Sequence, residues 1–282
     1  MNLSKLVFKF TIAFSIALSA IACSSKNTDK KQADGEDSVA SAIPNESELI
    51  SISDTIYNGL TFKVYADDKL DNKYHTIYLQ VKDKDGKPYN SSSLDYYPQM
   101  DMGMMKHGAP FEHPIALGEG WYQGPMVFIM ADIPDMGPGW HLYTILEKEG
   151  KKDTIAIKLP VSAAKTTRTM SSGTRDDSRV FVSNLLPDTL KQGKHPIKFL
   201  LNKMEDHHFP ALDGYRIKLA TNMPSMGHGS SGNKDAEAIG NGYYEGEVNF
   251  SMAGQWEIIV ELWKDGKKAN QDDIKYHVQV TK

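Results

Sequence analysis

Three short segments recur in the same order in the two halves of this chain, and that repetition limits the possible folds more than anything else in it. Met102-Gly103-Met104-Met105-Lys106-His107-Gly108 and Met223-Pro224-Ser225-Met226-Gly227-His228-Gly229 share the pattern M-x-x-M-x-H-G. Gly118-Glu119-Gly120-Trp121-Tyr122-Gln123-Gly124 then matches Gly240-Asn241-Gly242-Tyr243-Tyr244-Glu245-Gly246. Gly139-Trp140-His141-Leu142 is echoed by Gln255-Trp256-Glu257-Ile258, each followed by a strand-like run and a Gly-Lys-Lys turn at 150–152 and 266–268. A fixed order of this kind means one supersecondary plan used twice. The 282 residues are enough for two cores of ordinary size. The first half carries extra residues at 132–138, an insertion that costs little in a surface loop.

Between these landmarks the chain alternates apolar and polar residues, or runs through β-branched ones, in short segments bounded by Gly, Pro, Asn and Asp. Residues 77–81, 155–159, 256–262 and 276–280 are the clearest cases, and the pattern is that of strands and hairpins. Close spacing of such strands in units of about 100 residues predicts an all-β chain of two tandem immunoglobulin-like β-sandwich domains. The G-x-G runs lack both the third-glycine spacing and the following helix of a nucleotide loop, and are expected to be hairpin turns before a Tyr-containing strand. The aromatic residues Trp121, Tyr122, Trp140, Tyr243, Tyr244 and Trp256 are expected to be structural.

Two polar stretches divide the chain. Residues 24–48 hold too little apolar surface to order themselves and form a tether, and 162–177 forms a similar linker. The expected boundaries are a signal segment at 1–22, a tether at 23–49, a first domain at 50–162, a linker at 163–176 and a second domain at 177–282. At the amino terminus Lys5 and Lys9 precede an apolar run at 10–22 that is short for a membrane span. Ala20-Ile21-Ala22-Cys23 resembles the bacterial lipobox, which implies a lipid-modified Cys23 anchoring the protein to a bacterial membrane, on the periplasmic or the surface face of the cell envelope. Cys23 is the only cysteine, so the folded part relies on packing rather than cross-links.

A net charge of -4 without a basic stripe argues against nucleic-acid binding. The sequence holds no G-x-S-x-G elbow, no H-E-x-x-H helix and no folded-domain cysteine, so it is read as a binding protein and not an enzyme.

What stands out chemically is 13 Met beside that single Cys. Copper(I) is a soft ion that accepts thioether sulfur and imidazole nitrogen, whereas zinc favours thiolate, imidazole and carboxylate. Met223-Pro224-Ser225-Met226 fits a β-turn with Pro at its second position, and Gly103 permits an equivalent turn between Met102 and Met105. The expected ligand sets are Met102, Met105 and His107 in the first half and Met223, Met226 and His228 in the second. Met100, Met104 and His113 are weaker candidates, and His207-His208 is a further polar pair able to take copper(II). The bland alternative is that the Met side chains fill the core, leaving two sandwich domains as a metal-free interaction or scaffold module of the envelope.

The order of strand, M-x-x-M-x-H-G loop, G-x-G-Tyr turn and Trp-containing strand resembles the YtkA-like domain, related to the FixH family, over 77–161 and again over 197–280. The resemblance implies an immunoglobulin-like sandwich in an exported or membrane-bound protein. FixH relatives are associated with copper delivery to cbb-type oxidases, which implies a copper-receiving or copper-exporting envelope protein as partner.

Overall fold

The alternating runs become strands because each has one face that pays its way only when buried against a second sheet. The computed structural model describes residues 42–282 apart from 149 and 207; the signal segment, Cys23, most of the tether and His207 lie outside the described residues. The first half contributes β1 (Ile50–Tyr57), β2 (Leu60–Ala66), β3 (Tyr74–Lys82), β4 (Leu94–Asp101), β5 (Lys106–Gly108), β6 (Ile115–Gly118), β7 (Trp121–Val127), β8 (Gly139–Lys148) and β9 (Lys151–Lys158). The second contributes β10 (Thr169–Gly173), β11 (Arg179–Asn184), β12 (Leu190–Lys191), β13 (Gly193–Lys203), β14 (Arg216–Met223), β15 (His228–Gly229), β16 (Lys234–Gly240), β17 (Tyr243–Phe250), β18 (Gly254–Lys264), β19 (Lys267–Lys268) and β20 (Ile274–Thr281). Among the described residues no helix is long and apolar enough to cross a membrane.

The sequence repeat is a repeat of topology. The first half has one sheet ordered β1-β2-β3-β7-β6 and another ordered β5-β4-β8-β9. The second runs β10-β11-β13-β17-β16, then β14-β18-β20 with β15 beside β14, which is the same order strand for strand. Here a single bridge, Ile217 to Ala236, joins the two sheets, and β12 adds a short parallel strand beside β20. Each half therefore closes as a two-sheet sandwich with its own core, built on Phe62, Leu79, Tyr96 and Trp140 in the first and on Phe199, Tyr244, Trp256 and Tyr276 in the second.

Both G-x-G-x-Tyr segments make the expected hairpin turn, with φ angles that agree to within 8°. Gly118, Glu119 and Gly120 have φ of 93, 50 and 75°, and Gly240, Asn241 and Gly242 have 101, 52 and 75°. The second glycine is also pressed against backbone: a Cβ on Gly120 would strike the Val81 carbonyl oxygen, and one on Gly242 the Leu201 carbonyl oxygen. Two residues on, the hydroxyl of Tyr122 donates to the Ser91 carbonyl at 3.0 Å, and that of Tyr244 to the Leu212 carbonyl at 2.9 Å. Each motif thus clamps the loop after β3 or after its counterpart β13 to the hairpin.

The chain departs from expectation at the boundaries. Thr169–Gly173, assigned to the linker by its polar composition, is strand β10, paired along its length with β11. An edge strand with one wet face needs little apolar surface, so composition hides it. Order likewise begins before residue 50: Glu46–Glu48 forms a 3-10 turn, and Tyr65 donates to Glu46 at 2.7 Å. The two halves meet through Tyr243, which donates to Glu112 at 2.7 Å, and through Lys73, which pairs with Asp188 at 3.2 Å, a carboxylate that Arg168 of the second half also holds at 3.0 Å.

Replacing Gly120 or Gly242 with Ala is expected to destabilise the protein by more than about 2 kcal/mol, since backbone strain of about 1 to 2 kcal/mol adds to the clash. Gly150→Ala and Gly266→Ala, at positive φ in open space, should cost only the strain; urea denaturation separates the two classes. Burial raises the Asp188 carboxyl, but Arg168 and Lys73 outweigh it and hold the group below its usual 3.8. Its contribution is therefore present above that value and lost as pH falls through the depressed one. Asp188→Asn should flatten this acid limb of the unfolding free energy.

Candidate metal centre

The sulfur and imidazole groups are gathered by register. On the sheet β5-β4-β8, Met100 of β4 stands opposite His107 of β5 on one side and Trp140 of β8 on the other. Residues paired across antiparallel strands share a face, so His107, Met100 and Trp140 form one row, directed into the sandwich. In the second half Met223 of β14 pairs with His228 of β15, and the β14–β18 register, ending at Asn222 opposite Glu257, sets Met223 beside Trp256. The structural counterpart of Met223 is thus Met100, not Met102. The first hairpin is two residues longer, which the M-x-x-M-x-H-G alignment conceals.

The same surroundings repeat around both rows. The indole N–H of Trp140 donates to the Met130 carbonyl at 2.9 Å, and that of Trp256 to the Met252 carbonyl at 3.0 Å. Phe128 packs edge-on to Trp140 at 5.3 Å and Phe250 to Trp256 at 5.7 Å. His107 meets the Trp140 ring at 5.3 Å and His228 the Trp256 ring at 6.1 Å, both near perpendicular. The terminal methyl of Met223 occupies the place where a Cβ on Gly254 would sit, so that glycine lets the thioether reach under the Trp256 strand. Met130 and Met252 escaped the sequence reading. Their signal was the recurrence of Phe128-Ile129-Met130 as Phe250-Ser251-Met252, ahead of each Trp.

Hydrogen bonding selects the tautomer of the imidazoles. His107 Nδ1 lies 3.0 Å from the Gly108 carbonyl and His228 Nδ1 3.0 Å from the Gly229 carbonyl. A carbonyl only accepts, so Nδ1 carries a proton, and in the uncharged tautomer this leaves the lone pair on Nε2. In the first half Nε2 faces the Met130 sulfur at 3.1 Å. A thioether has no proton to give, so two electron-pair donors confront each other, an arrangement completed by a proton or by a soft cation. With bonds of about 2.0 Å to nitrogen and about 2.3 Å to sulfur, a tetrahedral ion would set these atoms about 3.5 Å apart, a few tenths of an ångström beyond the observed gap. Among the described residues no three His, Cys, Asp or Glu side chains converge. The donors offered at this point are sulfur and imidazole.

The remaining candidates spread over a range of exposure. Met100 and Met223 are enclosed at 0% and 5% exposure, while Met104, Met105 and Met226 stand out at 100%, 62% and 59%. Met102 is half-buried against the core. His113 is apart from the row, exposed and paired with Asp95 at 2.9 Å. His208 exchanges backbone hydrogen bonds with Glu205 in an exposed turn.

The chain is therefore an all-β protein of two topologically matched sandwiches, each closing over a Met, His and Trp row. Residues 176–261, within the second sandwich, match the YtkA-like family model. No curated protein matches the chain in sequence. Among solved structures, FdeC, an Escherichia coli adhesin, is 15% identical at a TM-score of 0.25, over 78% of this chain and 64% of that one. A DUF4785 family protein from Legionella pneumophila is 9% identical at 0.27, over 77% and 57%. The chain thus spans less than two thirds of the length of either. The D00-D0 domain of intimin is 11% identical at 0.25, over 78% of this chain and all of that one, 100%.

Truncating Met100 to Ala should cost about 2 to 5 kcal/mol, as for other fully enclosed side chains. Met104→Ala and Met226→Ala should stay within about 0.5 kcal/mol of the parent. Equilibrium denaturation of the three variants checks the assignment of inner and outer methionines.

Proposed function

We propose that the protein is a copper(I)-binding, non-catalytic lipoprotein of the bacterial envelope, held to a membrane through Cys23, with one soft-ion site per sandwich. The observation that carries the proposal is the confrontation of the His107 lone pair with the Met130 sulfur, inside a set of residues that recurs in the other half. The inner ligands are His107, Met130 and Met100 in the first sandwich, and His228, Met252 and Met223 in the second. Copper(I), when bound, supplies the soft acceptor that these neutral lone pairs lack. Trp140 and Trp256 wall each site, keep water from it, and fix the neighbouring Met through its carbonyl. The Gly108 and Gly229 carbonyls hold each imidazole in the tautomer that points Nε2 inward, the task commonly given to groups just outside a metal's own ligands. The shared strand order supports reading the first sandwich as a second copy of the YtkA-like domain, and a copper-receiving or copper-exporting envelope protein is the partner such a site serves.

A metal-free scaffold is the competing proposal, supported by the enclosure of Met100 and Met223, whose thioethers also serve as core. Competition for copper(I) between the full chain and bicinchoninate decides between them. His107→Ala and Met130→Leu should each weaken one of two sites by about 10- to 100-fold, and His228→Ala and Met252→Leu the other. Equal affinity in the parent and all four variants would leave only the scaffold.

A further inference from the structure

The β4–β5 hairpin does not end at the inner row. Beyond Met100 opposite His107, Asp101 is opposite Lys106, and the Met102 N–H donates to the Met105 carbonyl at 2.9 Å, closing the hairpin around Gly103 and Met104. Side chains alternate between faces along both strands. Asp101 and Lys106 form their ion pair at 3.1 Å on one face, so Met102 and Met105 share the other face with Met100 and His107. Directly paired Cβ atoms lie about 4.5 to 5.5 Å apart, and two residues advance about 7 Å along a strand. Two rungs of soft donors therefore stand one above the other, the outer a thioether pair and the inner the imidazole with the enclosed Met100. Exposure rises along the same line, from 0% at Met100 to 62% at Met105 and 100% at Met104 on the tip.

A third methionine lies on the segment that covers this hairpin end. The insertion at 132–138 lies directly on this loop: a Cβ on Gly137 would overlap the Gly103 nitrogen, the Met102 carbonyl carbon and the Asp101 carbonyl oxygen. Its neighbour Met136 is 46% exposed. The second sandwich has no such rung, because Met223 is followed at once by a tight turn in which the Met226 and Gly227 N–H groups both donate to the Met223 carbonyl.

We infer that Met102 and Met105, with Met136 beside them, form a second, outer copper(I) site on the first sandwich, a landing place that captures the ion from solvent or from a donor and hands it to His107 and Met130. This rests on the inner sites of the proposed function. The outer rung offers sulfur alone, partly in water, and binds more weakly; the inner rung adds imidazole in a walled pocket. Ligand exchange runs downhill inward, with no change of oxidation state, because a thioether pair gives way to a set that includes imidazole. Capture one rung away raises the effective concentration of the ion at the inner rung, which is how a tethered site accelerates a second binding step.

Stopped-flow transfer of copper(I) from its bicinchoninate complex to the full chain tests the relay. Met102→Leu/Met105→Leu keeps the apolar volume, so folding is not the issue. The double variant should load the first site about tenfold more slowly, with its equilibrium affinity within about twofold of the parent and the second site loading at its original rate. Adding Met136→Leu should slow the first site further. An unchanged loading rate would overturn the relay. So would a fall in equilibrium affinity as large as that of His107→Ala, which would make Met102 and Met105 direct ligands of the inner site. Failure of the inner sites themselves shows separately, in the equilibrium titration of the His107 and Met130 variants.

Discussion

A buried indole N–H has to find an acceptor, and in each sandwich it finds the carbonyl of a methionine. Trp140 and Trp256 are fully enclosed, so an unpaired N–H there would cost about 1 to 3 kcal/mol. The bond to Met130 or Met252 meets that need and ties the segment after β7 to β8, and the segment after β17 to β18. It thereby places a thioether beside the row that the edge hairpin brings in from the other side. Packing supplies most of the energy, while this one polar bond decides which side chain stands next to the histidine.

The edge position of β5 and β15 matters for the same reason. An inner strand would have locked its histidine between two neighbours. Here the strands are three and two residues long, each with a partner on one side, and the ring turns inward over the row while its Nδ1 bonds the next carbonyl. Short edge strands also expose few unpaired backbone groups to stray pairing. One geometry therefore serves both the solubility of the sheet and the presentation of a lone pair.

Much of this was legible in the residues. The strand runs, the two-fold plan and the Gly-x-Gly-x-Tyr turns follow from alternation and from positions that only positive φ satisfies, and recurrence singles out His107 and His228, which stand in equivalent register positions. Register was not legible. The M-x-x-M-x-H-G match pairs Met102 with Met223, yet the hairpins differ in length by two residues, and since side chains alternate with period two, Met100 keeps the inner face and takes the equivalent place. Met130 and Met252 come from a distant segment, and proximity across a sandwich leaves no trace in local spacing. Strand β10 was missed because Thr169, Ser171 and Ser172 look like linker; pairing with β11, not hydrophobicity, makes that segment a strand.

The two sandwiches share their inner rows and differ in what lies over them. In the first, Asp132 accepts from the backbone N–H of Trp140 at 2.8 Å and that of Val161 at 3.2 Å, and takes an ion pair from Lys158. That carboxylate staples the insertion to β8 and to the strand end, and Gly137 can then lie flat on the Met102 loop. In the second, the turn after Met223 is uncovered and borders a cleft of about 340 Å³ lined by Pro224, Ser225, Gln255 and Trp256. A duplicated core with unequal covers is what results when the row is held by packing that tolerates few changes and the loops above it are not. The two halves accordingly differ in the loops that lie over the rows, while the Met, His and Trp of each row keep their places.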